Sequence, residues 1–140
     1  MTAASREVVD GGGALVARVV CAGDLWTEPG LSFWTSDDDF VQVGTWNHPG
    51  GTHLNAHIHN TYERCATRTQ EVVFLLSGSV QAHIYDDEGL LLVELSMAAG
   101  DLLICFAGGH GYTITSEGTR VLEIKNGPYF GPDKDRRRLY

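Results

Sequence analysis

Turn-forming residues interrupt this chain of 140 residues at short intervals, and their spacing limits the folds that it can adopt. Apolar residues seldom recur at the three- and four-residue steps of an amphipathic helix. Between turns such as Pro29-Gly30 and residues 86–89, the short segments alternate between apolar and polar residues or are continuously apolar. The sequence therefore predicts an all-β protein, built as a sandwich or barrel of short antiparallel strands.

The pattern places these strands along a single domain, residues 1–140, because a chain of this length forms one core. A flexible start is expected at residues 1–13, and a C-terminal tail with solvated basic residues at 128–140. Residues 51–59 are expected to be extended. Strands are expected at residues 14–21, 31–35, 40–46, 71–76, 80–85, 90–95, 102–106, 110–115 and 120–125.

Charge and cysteine content limit the partners and the compartment. The net charge is −8, which repels phosphate backbones and anionic membrane surfaces, so neither nucleic acid nor a membrane is expected as a partner. No apolar run approaches the length of a transmembrane helix, about 18 residues, and the start of the chain lacks the apolar core of a signal peptide. The three cysteines are widely spaced and predict no disulfide framework. A cytoplasmic protein is expected.

Four side chains form the candidate metal site. His57 and His59 stand two residues apart, so in a strand they point to one face and can reach a shared ion. Glu71 opens the apolar run 72–76, where a buried carboxylate needs a compensating partner such as a cation, unless it lies at the solvent end of the strand. His110 follows a second apolar strand and a Gly-Gly turn that can fold it back beside the pair.

This arrangement resembles the first motif of the cupin superfamily, G-x5-H-x-H-x(3 or 4)-E-x6-G. The chain has five residues between Gly51 and His57 and six between Glu71 and Gly78, as the motif does. Eleven residues, rather than three or four, separate His59 from Glu71, which indicates a longer loop.

The second cupin motif, G-x5-P-x-G-x2-H-x3-N, is followed in outline by Gly100, Gly108 and His110. Phe106 stands at the proline, Ile114 at the asparagine, and the step from Gly108 to His110 is one residue short. Residues 68–71, 108–111 and 123–129 are also similar to a subgroup of small bacterial single-domain cupins.

The resemblance implies a double-stranded antiparallel β-barrel of the cupin or jelly-roll type, with one divalent ion (Fe, Zn, Ni or Mn) held inside it. Ligation by three histidines and one glutamate would leave one or two coordination positions open, which is typical of a catalytic metal.

Other residues are candidates for contacts with a substrate. Arg68, on the loop before Glu71, either binds an anionic substrate group or is solvated. His53 shares the spacing of the histidine pair and is a further ligand, a substrate-binding or supporting group at the barrel mouth, or an exposed residue. Tyr112 has the parity of His110 and lines the pocket or packs in the core.

Glu123 and Lys125 share one face of the last strand. They are acid/base candidates if that face lines the barrel. They form a modest surface pair if it faces solvent, which the alternation of the strand favours.

Three functions fit these features. The first is a metal-dependent enzyme acting on a small organic molecule, with a slight preference for an iron-dependent oxygenase. The second is a non-redox isomerase, epimerase, lyase or cyclase that uses Zn, Ni or Mn as a Lewis acid. The third is a non-catalytic module that binds a sugar-like ligand. A homodimer is expected from exposed edge strands and from the aromatic residues of the first third of the chain, Trp26, Phe33, Trp34 and Trp46.

Overall fold

The computed structural model describes residues 5–140. Nearly all regular structure in this range is β, which confirms the all-β prediction. The one helix assigned there, α1, is a single turn at Pro132–Asp135. The strands are β1 (Ser5–Val9), β2 (Leu15–Val20), β3 (Gly30–Phe33), β4 (Gly44–Asn47), β5 (Glu71–Ser77), β6 (Ser79–Tyr85), β7 (Leu91–Ala98), β8 (Leu102–Cys105), β9 (Gly109–Ile114) and β10 (Arg120–Lys125).

The largest sheet has five antiparallel strands in the order β1-β2-β8-β5-β10. β5 lies between β8 and β10, and its first residue, Glu71, is directly opposite Cys105 on one side and Lys125 on the other. Directly paired residues on neighbouring strands point to the same face of a sheet. Glu71, Cys105 and Lys125 therefore form a row on one face.

A second sheet has the order β7-β6-β9, and β3 pairs with β4 in a separate hairpin. Across residues 5–140 these sheets do not join into a closed barrel, so the barrel implied by the cupin resemblance is not confirmed. β9 and β10 are edge strands of different sheets, and within the described range the free edge of each is not paired with a strand of the other sheet.

The inner core fills the space between the five-stranded and three-stranded sheets. Strand alternation produces it: Val73 and Leu75 point inward from β5, and Val80, Ala82 and Ile84 point inward from β6. A second apolar layer covers the other face of the five-stranded sheet, where Leu25 and Trp34 pack with Val72 and Ile104. Apolar burial on both faces explains why β5 and β8 read as continuous apolar runs.

Three local expectations differ from the structure. The start of the chain is not simply flexible, because residues 5–9 form β1 and pair with β2; residues 1–4 lie outside the described range. The strand expected at 40–46 is β4, Gly44–Asn47. Residues 51–59 form no strand, since no neighbouring strand in residues 5–140 pairs with their backbone.

Position 108, in the turn between β8 and β9, requires a glycine. Its φ is 68°, in the region that L side chains rarely adopt, and an added Cβ would overlap the carbonyl oxygen of Tyr85. Its N–H donates to Asp87 Oδ1 at 3.0 Å. This turn sets the position of His110, two residues later.

In the part of the chain that the structure describes, we find no helix with the length and apolar character needed to cross a membrane.

Candidate functional site

A cavity of about 730 Å³ opens at the end of the inner core where β5, β9 and β10 meet. Several predicted site residues line it: Arg68, Glu71, His110, Tyr112, Glu123 and Lys125. Residues outside the predicted site also contribute, notably Asp86, Asp87, Asp135, Arg136 and Arg137. The cavity thus joins an acid/base cluster at its inner end to a charged rim.

Glu71 is the most buried charged group of the site, with a relative exposure of 7%. The start of its strand is fixed by Gln70, whose side-chain oxygen accepts hydrogen bonds from the N–H groups of Phe40 (2.7 Å) and Val41 (3.1 Å). Asn126 adds a constraint, because its Oδ1 accepts from the Gln70 N–H at 2.7 Å. Gln70 and Asn126 therefore position Glu71, a role that no sequence motif marked.

His110 approaches Glu71 from the opposite sheet. Its Nε2 lies 3.3 Å from Glu71 Oε1, and its side chain is 29% exposed. The neighbouring Cys105 sulfur and the Glu71 carboxylate raise the pKa of His110 to about 10, although burial acts in the other direction. The raised pKa favours the protonated form of His110, which lies beside the buried Glu71 carboxylate.

Tyr112, two residues along β9, lies on the same side as His110, with a distance of 5.7 Å between the ring centroids. Its hydroxyl is 4.0 Å from Cys105 Sγ. Burial raises the pKa of Tyr112, so the phenol keeps its proton and remains a hydrogen-bond donor. Of the two alternatives for Tyr112, the structure places it in the cavity wall while its ring also packs against the inner core.

Glu123 and Lys125 line the cavity. This follows from the strand register, because Lys125 pairs with Glu71 and so shares its face. Lys125 Nζ lies 3.4 Å from Glu123 Oε1, and both groups remain partly exposed. Because β10 is exposed on both faces, Glu123 and Lys125 both line the cavity and form the exposed ion pair of the second alternative.

His53, His57 and His59 lie outside this cluster. Every residue from 46 to 69 is exposed, and the His57 and His59 rings contact each other edge to face, with 4.9 Å between their centroids. The predicted ligands thus form two separate pairs, His57 with His59 and Glu71 with His110. Within residues 5–140, no group of three or more His, Cys, Asp or Glu side chains is placed to hold a metal.

The described conformation therefore does not fit a four-ligand metal centre. Glu71 and His110 supply a carboxylate oxygen and an imidazole nitrogen, which are suitable donors for a divalent ion. The other two predicted donors are on a solvent-exposed segment with no strand partner. A metal bound to all four would require residues 53–60 to move onto the cavity.

The C-terminal residues, expected to be a solvated tail, return to the cavity instead. Thr69 Oγ1 donates to Asp135 Oδ1 at 2.7 Å, and Arg137 donates to the backbone carbonyl of Asp87 at 2.7 Å. The centroids of the Tyr140 and Tyr85 rings are 6.0 Å apart. Arg136 and Arg137 thus lie at the cavity rim, a placement that an Arg-rich run without periodicity does not predict.

Comparison with known proteins finds no match among family models, curated proteins or solved structures. The relation to cupins therefore stays a prediction that rests on the motif residues.

Proposed function

We propose that this chain is an enzyme that acts on a small organic molecule in the cavity around Glu71 and His110. The observation that carries the proposal is the 3.3 Å contact between a buried carboxylate and an imidazole at the end of a cavity of about 730 Å³. Such a volume suits a small-molecule ligand. A general acid and a general base in contact with the same ligand can move a proton from one of its atoms to another.

The reaction class that this arrangement supports best is a non-redox proton transfer, as in an isomerase, epimerase or lyase. Glu71 would accept a proton from the substrate, and His110 would donate one to a neighbouring atom. The Tyr112 hydroxyl would hold a substrate oxygen, and Glu123 with Lys125 would exchange protons with solvent at the outer end. These roles follow from placement, since all five side chains line the cavity.

A metal-dependent enzyme, including an iron-dependent oxygenase, is the second candidate. The observation in its favour is the pairing of the donors: Glu71 contacts His110, and the His57 ring lies against the His59 ring. β9, which carries His110, has a free edge that another strand can join. If residues 53–60 paired with that edge, His57 and His59 would stand on a strand next to His110.

Two measurements on one sample separate these candidates. Elemental analysis of protein purified without added metal identifies any bound ion, and ¹H NMR in D2O follows deuterium incorporation into a panel of sugars, hydroxy acids and keto acids. Incorporation that is lost in Glu71→Gln supports proton transfer. Iron occupancy with oxygen uptake supports the oxygenase instead. Saturable ligand binding without turnover would contradict both and leave a sugar-like binding module.

We also propose that two copies of the chain associate through the β3–β4 hairpin. Leu31 and Trp46 are directly paired across this hairpin, and Phe33 lies on the same face as Leu31. Each of the three is more than half exposed. A contiguous apolar face of this kind is typical of an interface, and a self-complementary patch forms a two-fold dimer.

A further inference from the structure

The cavity lining contains two arginine side chains that make no ion pair or hydrogen bond with residues 5–140. Each acidic residue of the lining already has a partner. Glu71 faces His110, and Glu123 faces Lys125. The rim aspartates accept hydrogen bonds: Asp86 from the N–H groups of Glu88 and Leu90, Asp87 from Gly108, and Asp135 from Thr69.

The cationic side chains of the lining fall into two groups, those with a partner and those without one in residues 5–140. Lys125 is paired with Glu123, and Arg137 donates to the Asp87 carbonyl. Arg68 and Arg136 also line the cavity, but neither guanidinium makes an ion pair or a hydrogen bond with residues 5–140. These two guanidinium groups are therefore the cations of the lining whose N–H donors are not already used by residues 5–140.

Arg68 and Arg136 start from the same part of the rim. Arg68 directly precedes Thr69, Arg136 directly follows Asp135, and the Thr69 hydroxyl donates to Asp135 at 2.7 Å. Asn126 Nδ2 also donates to the Arg68 carbonyl at 3.2 Å, which ties this backbone to the end of β10. Arg68 and Arg136 thus adjoin two residues whose side chains are hydrogen-bonded to each other.

We propose that Arg68 and Arg136 bind an oxyanion group of the substrate, a carboxylate or a phosphate, at the mouth of the cavity. The planar guanidinium matches both groups through paired N–H donors. The C-terminal segment, residues 132–140, is then a wall of the binding site, and the substrate of the proposed enzyme is an anion. The identification of the bound anion as a substrate rests on the proposed function, whereas the anion site itself is inferred from the rim residues.

The positioning of the segment supports this assignment. Arg137 is held by the Asp87 carbonyl, and Leu139 packs against the turn glycines Gly89 and Gly109. Asp87 in turn accepts from the N–H of Gly108, in the turn that precedes His110. One set of contacts therefore orients both the anion-binding end of the cavity and its acid/base end.

The test is an NMR titration of the arginine side-chain N–H signals in the full chain, with sodium phosphate and separately with sodium acetate, at constant ionic strength. We expect saturable shifts of Arg68 and Arg136, and the anion that binds more tightly identifies the recognised group. Arg68→Gln and Arg136→Gln each weaken this binding by at least about tenfold, the loss expected for a charge-assisted hydrogen bond. Arg138→Gln is the matched control, because Arg138 is in the same segment but does not line the cavity.

Equal weakening in all three variants, weakening in only one of the two rim variants, or the absence of saturable shifts overturns the proposal. Thermal unfolding of each variant confirms that it is folded, as expected because the Arg68 and Arg136 side chains have no partner among residues 5–140. Glu71→Gln separates this proposal from the proposed function, since it is expected to lose turnover and keep anion binding. Anion binding in the wild type without turnover on any anionic substrate would contradict the enzyme and leave the anion site in place.

Discussion

Glu71 and His110 lie on different sheets, and the 3.3 Å between Glu71 Oε1 and His110 Nε2 joins the two sheets at the open end of the inner core. The contact places a carboxylate and an imidazole side by side at the inner end of a cavity whose rim is charged.

The turn at Gly108 is expected to be required for stability. Gly108→Ala places a Cβ against the Tyr85 carbonyl at a positive φ, so the free energy of unfolding should fall by about 1–3 kcal/mol. Gly111→Ala is the matched control, because an added Cβ there meets nothing within 4 Å, and its effect should stay within about 0.5 kcal/mol. Urea denaturation measures both. Equal losses in the two variants would contradict this account of the turn.

Strand positions were largely predictable from the sequence, because apolar runs and alternation depend on burial. β10 has the bounds that its pattern predicts, Arg120–Lys125. β1 was missed because only Val8 is buried in it and a run of glycines follows, so its local pattern is weak. Its stability comes from pairing with β2, which is a tertiary contact.

The candidate site was predictable in part for the same reason. Glu71 and His110 come together as expected, since one opens a buried strand and the other follows a tight turn. The histidine spacing of residues 53–59 indicates which side chains share a face but does not identify the strand beside them. The contact between the tail and the cavity rests on single hydrogen bonds, such as the one between Arg137 and Asp87, which leave no periodic signal.

Because the Cys105 sulfur and the Glu71 carboxylate raise the pKa of His110, the free energy of unfolding should fall at alkaline pH. The folded-state pKa of His110, about 10, lies above its ordinary value of 6.5. The stabilisation is therefore fully present below pH 6.5 and is lost as the pH rises through about 10. An NMR titration of the His110 ring measures its pKa directly as the midpoint of the titration. Glu71→Gln should lower this midpoint. A wild-type midpoint near 6.5 would contradict the pairing.

Metal binding tests whether residues 53–60 join the cavity. If they do, His57→Ala and Glu71→Ala should each weaken zinc affinity by at least about tenfold, the loss seen even when only a supporting group of a metal site is removed. His83→Ala is the control, because His83 bonds to Glu94 and Thr113 and lies away from the cavity. Zinc should also slow amide exchange in residues 53–60. Full metal content in both ligand variants would contradict the four-ligand site.

The interface proposed on the β3–β4 hairpin predicts a concentration-dependent dimer, which single substitutions in the hairpin should weaken. Trp46→Ser removes the most exposed large side chain of the hairpin face, and large aromatic residues dominate interface energetics, so dimer affinity should fall by about tenfold or more. Leu90→Ser is the control, because Leu90 is 65% exposed but lies outside the hairpin. Sedimentation equilibrium measures both. A wild-type monomer at all concentrations would contradict the dimer.

The central claim is that the Glu71–His110 contact performs the chemistry, and turnover in conservative variants tests it most directly. With any substrate found by deuterium incorporation, Glu71→Gln and His110→Gln should each lower kcat by at least about a hundredfold, the lower end of a general acid or base contribution. His83→Gln, a matched histidine outside the cavity, should leave kcat within about twofold of the wild type. Folded Glu71→Gln and His110→Gln variants that keep wild-type kcat would contradict the account.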